Sequence, residues 1–208
     1  MSLSKSSAFG FITALLALAA TAPSAKAEFT FLLQQVGPDV VLTGSGTINT
    51  AGLTLLNPSV LSAAGISPDN AIVRGGPAPA NSNGEFFGGI VGPSSFGSGG
   101  FTLATSGSGD IVDTEEGSGL LLPSGYVSGA PLSDTATFAN ETFATLGFTP
   151  GTYTYTFGTG ATADSLVVTT VAPGGSSVPL PSSVAMGMLG AVMLGAYGLR
   201  MKLMGSPV

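Results

Sequence analysis

The chain has 208 residues, with 0 Cys, 0 His and 32 Gly, and carries 5 basic against 11 acidic residues, a formal net charge of −6. Without cysteine there is neither a disulfide framework nor a thiolate metal site. Without histidine, Ser-His-Asp and Cys-His catalysis and histidine-ligated zinc are excluded as well.

Residues 1–27 read as an export signal. Lys5 supplies the positive n-region, residues 9–22 are apolar, and Ala25-Lys26-Ala27 gives the small-x-small cleavage pattern. Signal peptidase is expected to accept Ala25 and Ala27 in its shallow pockets and to leave Glu28 as the new N-terminus. The apolar run is short for a membrane span of about 20 residues, and Pro23 breaks it just before the cut.

Residues 28–171 form the exported domain. With Lys5 and Lys26 in the signal and Arg200 and Lys202 in the tail, Arg74 alone faces all eleven acids, a formal balance of −10 for this part. Such a surface disfavours nucleic acid and anionic lipid but suits divalent cations or basic partners. The mean hydropathy of +0.50 comes from the two apolar ends and does not mark a multi-span membrane protein.

Short apolar or alternating runs between Gly, Ser, Thr and Asn clusters predict an all-β, sandwich-like domain. Residues 29–33 make a first strand. Val40-Val41-Leu42 and Ile48 flank the turn-prone Thr43-Gly44-Ser45-Gly46. Residues 57–65 are read as one short helix, and 71–74, 86–91, 101–104, 120–122 and 135–138 as further strands. The clearest strand is 152–157, where Tyr153, Tyr155 and Phe157 alternate with three threonines. Pro150-Gly151 turns into it, and 164–171 follows as its partner after the 158–163 loop. Its aromatics are expected to pack in the core.

Two chemistries remain open to the acidic stretch 107–116. Asp110, Asp113, Glu115 and Glu116 supply the hard oxygens that calcium prefers, on a loop flexible enough to wrap an ion. The spacing is not that of a helix-loop-helix calcium loop. Glycoside hydrolysis needs only two carboxylates, but these lie on one loop, and the chain has 0 Trp to line sugar subsites. Asn140-Glu141-Thr142 fits the N-glycosylation pattern, a triplet short enough to arise by chance.

Pro173-Gly174-Gly175-Ser176-Ser177 lies in the flexible linker 172–177. The tail 178–208 has three parts: Val178-Pro179-Leu180-Pro181, sixteen uncharged residues from 184 to 199, and the basic pair Arg200 and Lys202. As a transmembrane helix, 184–199 spans roughly 24 Å of a hydrocarbon core of about 30 Å. Snorkelling by Arg200 and Lys202 closes the gap and fixes that end in the cytoplasm.

This tail resembles the PEP-CTERM sorting signal of bacterial surface proteins in its Val-Pro-Leu-Pro variant, with Leu180 in place of the usual glutamate. The resemblance implies a membrane-embedded exosortase that cuts near Val178, Pro179, Leu180 and Pro181. The order of motifs from residue 86 to 168 is also similar to the bodies of many exported PEP-CTERM proteins, and it brings no catalytic residue with it. A non-enzymatic surface or extracellular-matrix protein is therefore expected, held in the membrane by its C-terminus in transit and then released to the cell surface or matrix. The implied partners are signal peptidase, an exosortase-like enzyme and exopolysaccharide. The cofactor expectation is none, calcium apart. One alternative is a polysaccharide- or cell-binding module that uses the acidic loops and Tyr126, Tyr153 or Tyr155. A second is a carboxylate-based glycoside hydrolase.

Overall fold

The computed structural model describes residues 28–116 and 118–171, and these form two seven-stranded sheets. Strand β1 (Glu28–Val36) turns Phe29, Phe31 and Leu33 inward, the period of two that a half-buried strand shows. A two-residue loop, Gly37-Pro38, returns the chain into β2 (Asp39–Thr47). Gly37 has φ 60, the left-handed first position that a tight hairpin loop requires.

The remaining strands in chain order are β3 (Thr54–Ser62), β4 (Gly65–Ser67), β5 (Ile72–Gly75), β6 (Ser82–Gly88), β7 (Ile90–Val91), β8 (Thr102–Leu103), β9 (Ser106–Gly109), β10 (Val112–Glu115), β11 (Gly119–Pro123), β12 (Pro131–Phe138), β13 (Thr152–Phe157) and β14 (Asp164–Val171). The first sheet runs β7-β13-β14-β1-β2-β12-β9 and the second β3-β6-β11-β10-β5-β4-β8. β1 and β14 pair in parallel, from Glu28 with Ser165 to Gln34 with Val171. The other ladders between these strands are antiparallel.

The inner faces of the two sheets meet in a dry core. Phe29, Phe31, Leu42, Phe138, Leu166 and Tyr155 come from the first sheet, and Ile66, Val73, Val112, Leu120 and Leu122 from the second. Phe96 plugs one end, its ring 5.2 Å from that of Phe148 and 4.7 Å from that of Tyr153. Tyr155 crosses between the sheets and donates to the carbonyl of Ala71 at 2.7 Å. The same carbonyl accepts from Thr114 Oγ1, and Thr114 Oγ1 in turn accepts from Val73 N. Ala71 has φ 53, a left-handed conformation that costs a residue with a Cβ about 1 kcal/mol or more and needs such support.

The second sheet cannot be flat. β3 and β4 stand first and sixth in its order, yet only Ala63 and Ala64 join them. Three steps of about 3.8 Å reach roughly 11 Å, whereas five strand spacings of about 4.8 Å need roughly 24 Å. The sheet must therefore curl until the Ser62 end of β3 and the start of β4 meet over its outer face. Two contacts seal the curl: Ser62 Oγ reaches Asp113 Oδ2 at 3.3 Å, and Ala64 N donates to the Pro77 carbonyl at 3.0 Å.

Three local expectations are corrected. The helix expected over 57–65 is extended chain, because Asn57 and Pro58 sit where the β3–β6 register shifts. A bulge tolerates the missing proline N–H that a helix interior would not. The stretch 107–116 is not one loop but parts of β9 and β10, which belong to different sheets. Thr43-Gly44-Ser45-Gly46 runs straight through β2 rather than turning. Among the described residues no helix is long and apolar enough to cross a membrane, and the expected span 184–199 lies outside them.

Candidate functional site

The four acids expected to gather around calcium are dispersed by the fold. Asp110, just after β9, accepts from Ser133 N at 2.8 Å. Asp113 and Glu115 project from the outer face of β10. Glu116 is exposed in the turn that follows, at φ 47. Among the described residues no three carboxylates converge as a metal site would require.

Asp113 and Glu115 instead face Arg74, the one basic residue of this domain. Asp113 lies directly across the β5–β10 ladder from it, and Glu115 is the next residue on the same face. Arg74 Nε is 2.8 Å from Asp113 Oδ2, and Arg74 Nη2 is 2.5 Å from Glu115 Oε1. The first contact is an ion pair whose N–H points off line, since Arg74 Nε has no hydrogen-bond partner, and Asp113 Oδ1, the other carboxyl oxygen, has none either. Asp113 is fully buried beneath the curl of the second sheet, while Arg74 and Glu115 keep a foothold in water. Burial raises the Asp113 pKa well above the usual carboxylate range and the Glu115 charge adds to this; Arg74 and the Ser62 hydroxyl oppose it. Phe101 covers the guanidinium with its ring centroid 5.1 Å from Arg74 Cζ, a cation–π contact at the margin of the patch.

A second buried carboxyl lies between the sheets. Asp134 shares the inward face of β12 with Leu132, Ala136 and Phe138, and is 3% exposed. Gly44 is its neighbour on β2, and Gly75 of β5 faces it from the other sheet. A Cβ on either glycine would overlap the carboxyl group. Neither carboxyl oxygen has a hydrogen-bond partner. The Gly44 N–H faces the group and favours its charged form without reaching hydrogen-bond geometry. Burial dominates, the Asp110 charge adds to it, and the pKa rises to about 8. Asp164 shows the contrast. Burial raises its pKa too, but Asn49 N and Ser165 N both donate to it at 2.7 Å and hold the charged form.

The three tyrosines considered for a sugar platform have their hydroxyls engaged within the fold. Tyr155 is fully buried. Tyr153 donates to the Thr149 carbonyl at 2.7 Å and Tyr126 to the Ala130 carbonyl at 2.7 Å, while Tyr126 also accepts from Ile48 N. An open groove of about 420 Å³ lies beside β7 and the end of β13, lined by Gly52, Gly89, Gly158, Val91, Phe157 and three threonines. No charged side chain lines it, so it offers no general acid or base.

The processing residues Ala25 and Ala27, Val178, Pro179, Leu180 and Pro181, and Arg200 and Lys202 all lie outside the described residues. Asp134 was missed in the sequence. Its signal was present, because a period-two reading of 131–138 puts it in step with Leu132, Ala136 and Phe138. Comparison of the chain with known protein families, curated proteins and solved structures returns no match. The two-sheet all-β architecture and the two buried carboxyl sites are thus what the chain itself offers.

Proposed function

We propose that the chain is a non-enzymatic exported protein of the cell surface or extracellular matrix, delivered through a PEP-CTERM-like tail and an exosortase-type sorting enzyme. The observation that supports this reading is the pair of terminal signals in the sequence, which flank an acidic all-β domain. Lys5 and Ala25-Lys26-Ala27 precede residue 28, Val178-Pro179-Leu180-Pro181 with Arg200 and Lys202 follows residue 171, and the residues between them include both sheets.

A reporter that is active only outside the cytoplasm, fused after Ala172, is expected to be active, because Lys5 and the Arg200/Lys202 pair both mark cytoplasmic ends. A silent fusion with an uncleaved, cytoplasmic chain would end the export reading. Replacing Pro179 and Pro181 by Ala is expected to leave export intact and strand the protein in the membrane, since the rigid extended box is lost. Mass spectrometry of wild-type surface material with its C-terminus intact through Val208 would reduce the tail to a simple anchor.

A further inference from the structure

We propose that the Asp134 carboxyl is a proton-dependent latch between the two sheets, closed against Gly75 while it carries its proton and released, together with β9 and β12, when it ionises. The latch rests on the domain's own geometry and stands whether or not the export reading holds.

Three observations carry it. The carboxyl group is buried at the contact between β12 of one sheet and β5 of the other, with neither oxygen hydrogen-bonded. Gly44 and Gly75 leave it just enough room, and it is almost wholly removed from solvent while the sheets are closed. No cation faces it. Arg74 adjoins Gly75 on β5 but points to the opposite face, where it holds Asp113 and Glu115. On β2 the charged residue is Asp39, at the far end of the strand, where its Oδ1 accepts from Asn140 N. β9 carries no titratable group, and after it Asp110 contributes a further negative charge. An ionised Asp134 therefore meets burial and a like charge with only the poorly aligned Gly44 N–H to offset them, and opening the contact to water is its relief.

The strands beside it are built to give way. β9 is Ser106-Gly107-Ser108-Gly109, an edge strand without an apolar side chain, held by its backbone ladder to β12, one Ser108–Thr135 hydroxyl contact and a single bridge from Gly107 to Ala78. It therefore adds little packing to resist release of β12.

The sign follows from linkage. The folded state keeps the Asp134 proton up to about pH 8, whereas an opened carboxyl loses it near the ordinary value of 3.8. Between those limits each rise of one pH unit favours opening about tenfold, and above the upper limit the effect levels off. Latching is complete in acid and is lost as pH rises through the folded-state value.

Hydrogen exchange of the full-length chain in nonionic detergent tests this between pH 5.5 and 8.5, after correction for intrinsic exchange chemistry. Protection of peptides from β9, β12 and β5 is expected to fall about tenfold per pH unit up to pH 8, while β1 and β14 change less. Asp134→Asn, a neutral analogue of the protonated form, is expected to hold protection flat. Repetition at high salt separates the latch from repulsion among surface acids, which salt screens. A wild-type protection that ignores pH, or an equal slope in Asp134→Asn, would overturn the proposal. Should that variant fail to fold, the assigned Asp134 Cγ resonance of the wild type decides. A midpoint raised clearly above the ordinary value of 3.8 supports the latch, and an unshifted one removes it.

Discussion

Arg74 shows how much a single side chain holds when it is the only cation among the described residues. It sits between a fully buried Asp113 and a half-exposed Glu115, under a sheet that curls over both. Replacing it with Met leaves Asp113 buried without a counter-charge. That loss is expected to cost about 3 kcal/mol, the lower end of the range for a broken buried pair, because Arg74 keeps a fifth of its side chain in water. Urea unfolding midpoints measure the loss. The combined change of Arg74 to Met and Asp113 to Leu is expected to recover most of it, since a neutral pair of similar volume needs no compensation. A double variant as weak as the single one would assign the effect to packing of the arginine stem instead. The aspartates also differ instructively. Asp164 has two backbone donors at 2.7 Å, whereas Asp134 has none, and that difference separates a satisfied carboxylate from a protonated one.

The strands themselves were unevenly legible. β13 could be read at once, because three threonines outward and Tyr153, Tyr155 and Phe157 on the other face admit only a period of two. β1 and β14 followed from their apolar runs, yet their parallel pairing did not, since register between distant segments leaves no local mark. The Ser-Gly repeats and clustered acids of β9 and β10 signal turns, so the sequence of 107–116 points to a loop. β10 is a strand that pairs with β5 and β11, and its buried Asp113 meets in Arg74 a partner 39 residues away in the sequence, which leaves no local mark. The β3 region misled for a similar reason: Asn57 and Pro58 occupy a bulge fixed by β6. At the sheet–sheet contact, Gly75→Ala places a methyl against the Asp134 carboxyl and is expected to destabilise by about 1–3 kcal/mol, an overpacking effect. In an Asp134→Ala background the same change should cost much less. Equal costs in the two backgrounds, measured as a double-mutant cycle, would show that the two residues are not coupled.

For the whole molecule, the pairing of the first and last strands sets how the domain meets mechanical load. β1 and β14 lie side by side, parallel, over seven residue pairs, so the chain enters at one end of this ladder and leaves at the other. Tension between residues 28 and 171 then runs along the strands and strains every rung of the ladder together. Tension between Thr152 and Thr169, which face each other in the antiparallel β13–β14 pair, instead peels that pair one rung at a time. Forced unfolding depends on the barrier along the pulling direction rather than on overall stability. Single-molecule pulling through residues 28 and 171 is therefore expected to need a markedly higher force than pulling through 152 and 169. Similar forces in the two geometries would show that the β1–β14 ladder is not the element that resists. A domain tethered at Val171 and dragged from its Glu28 end would be gripped along its strongest direction, with β2 and β13 bracing the ladder on either side.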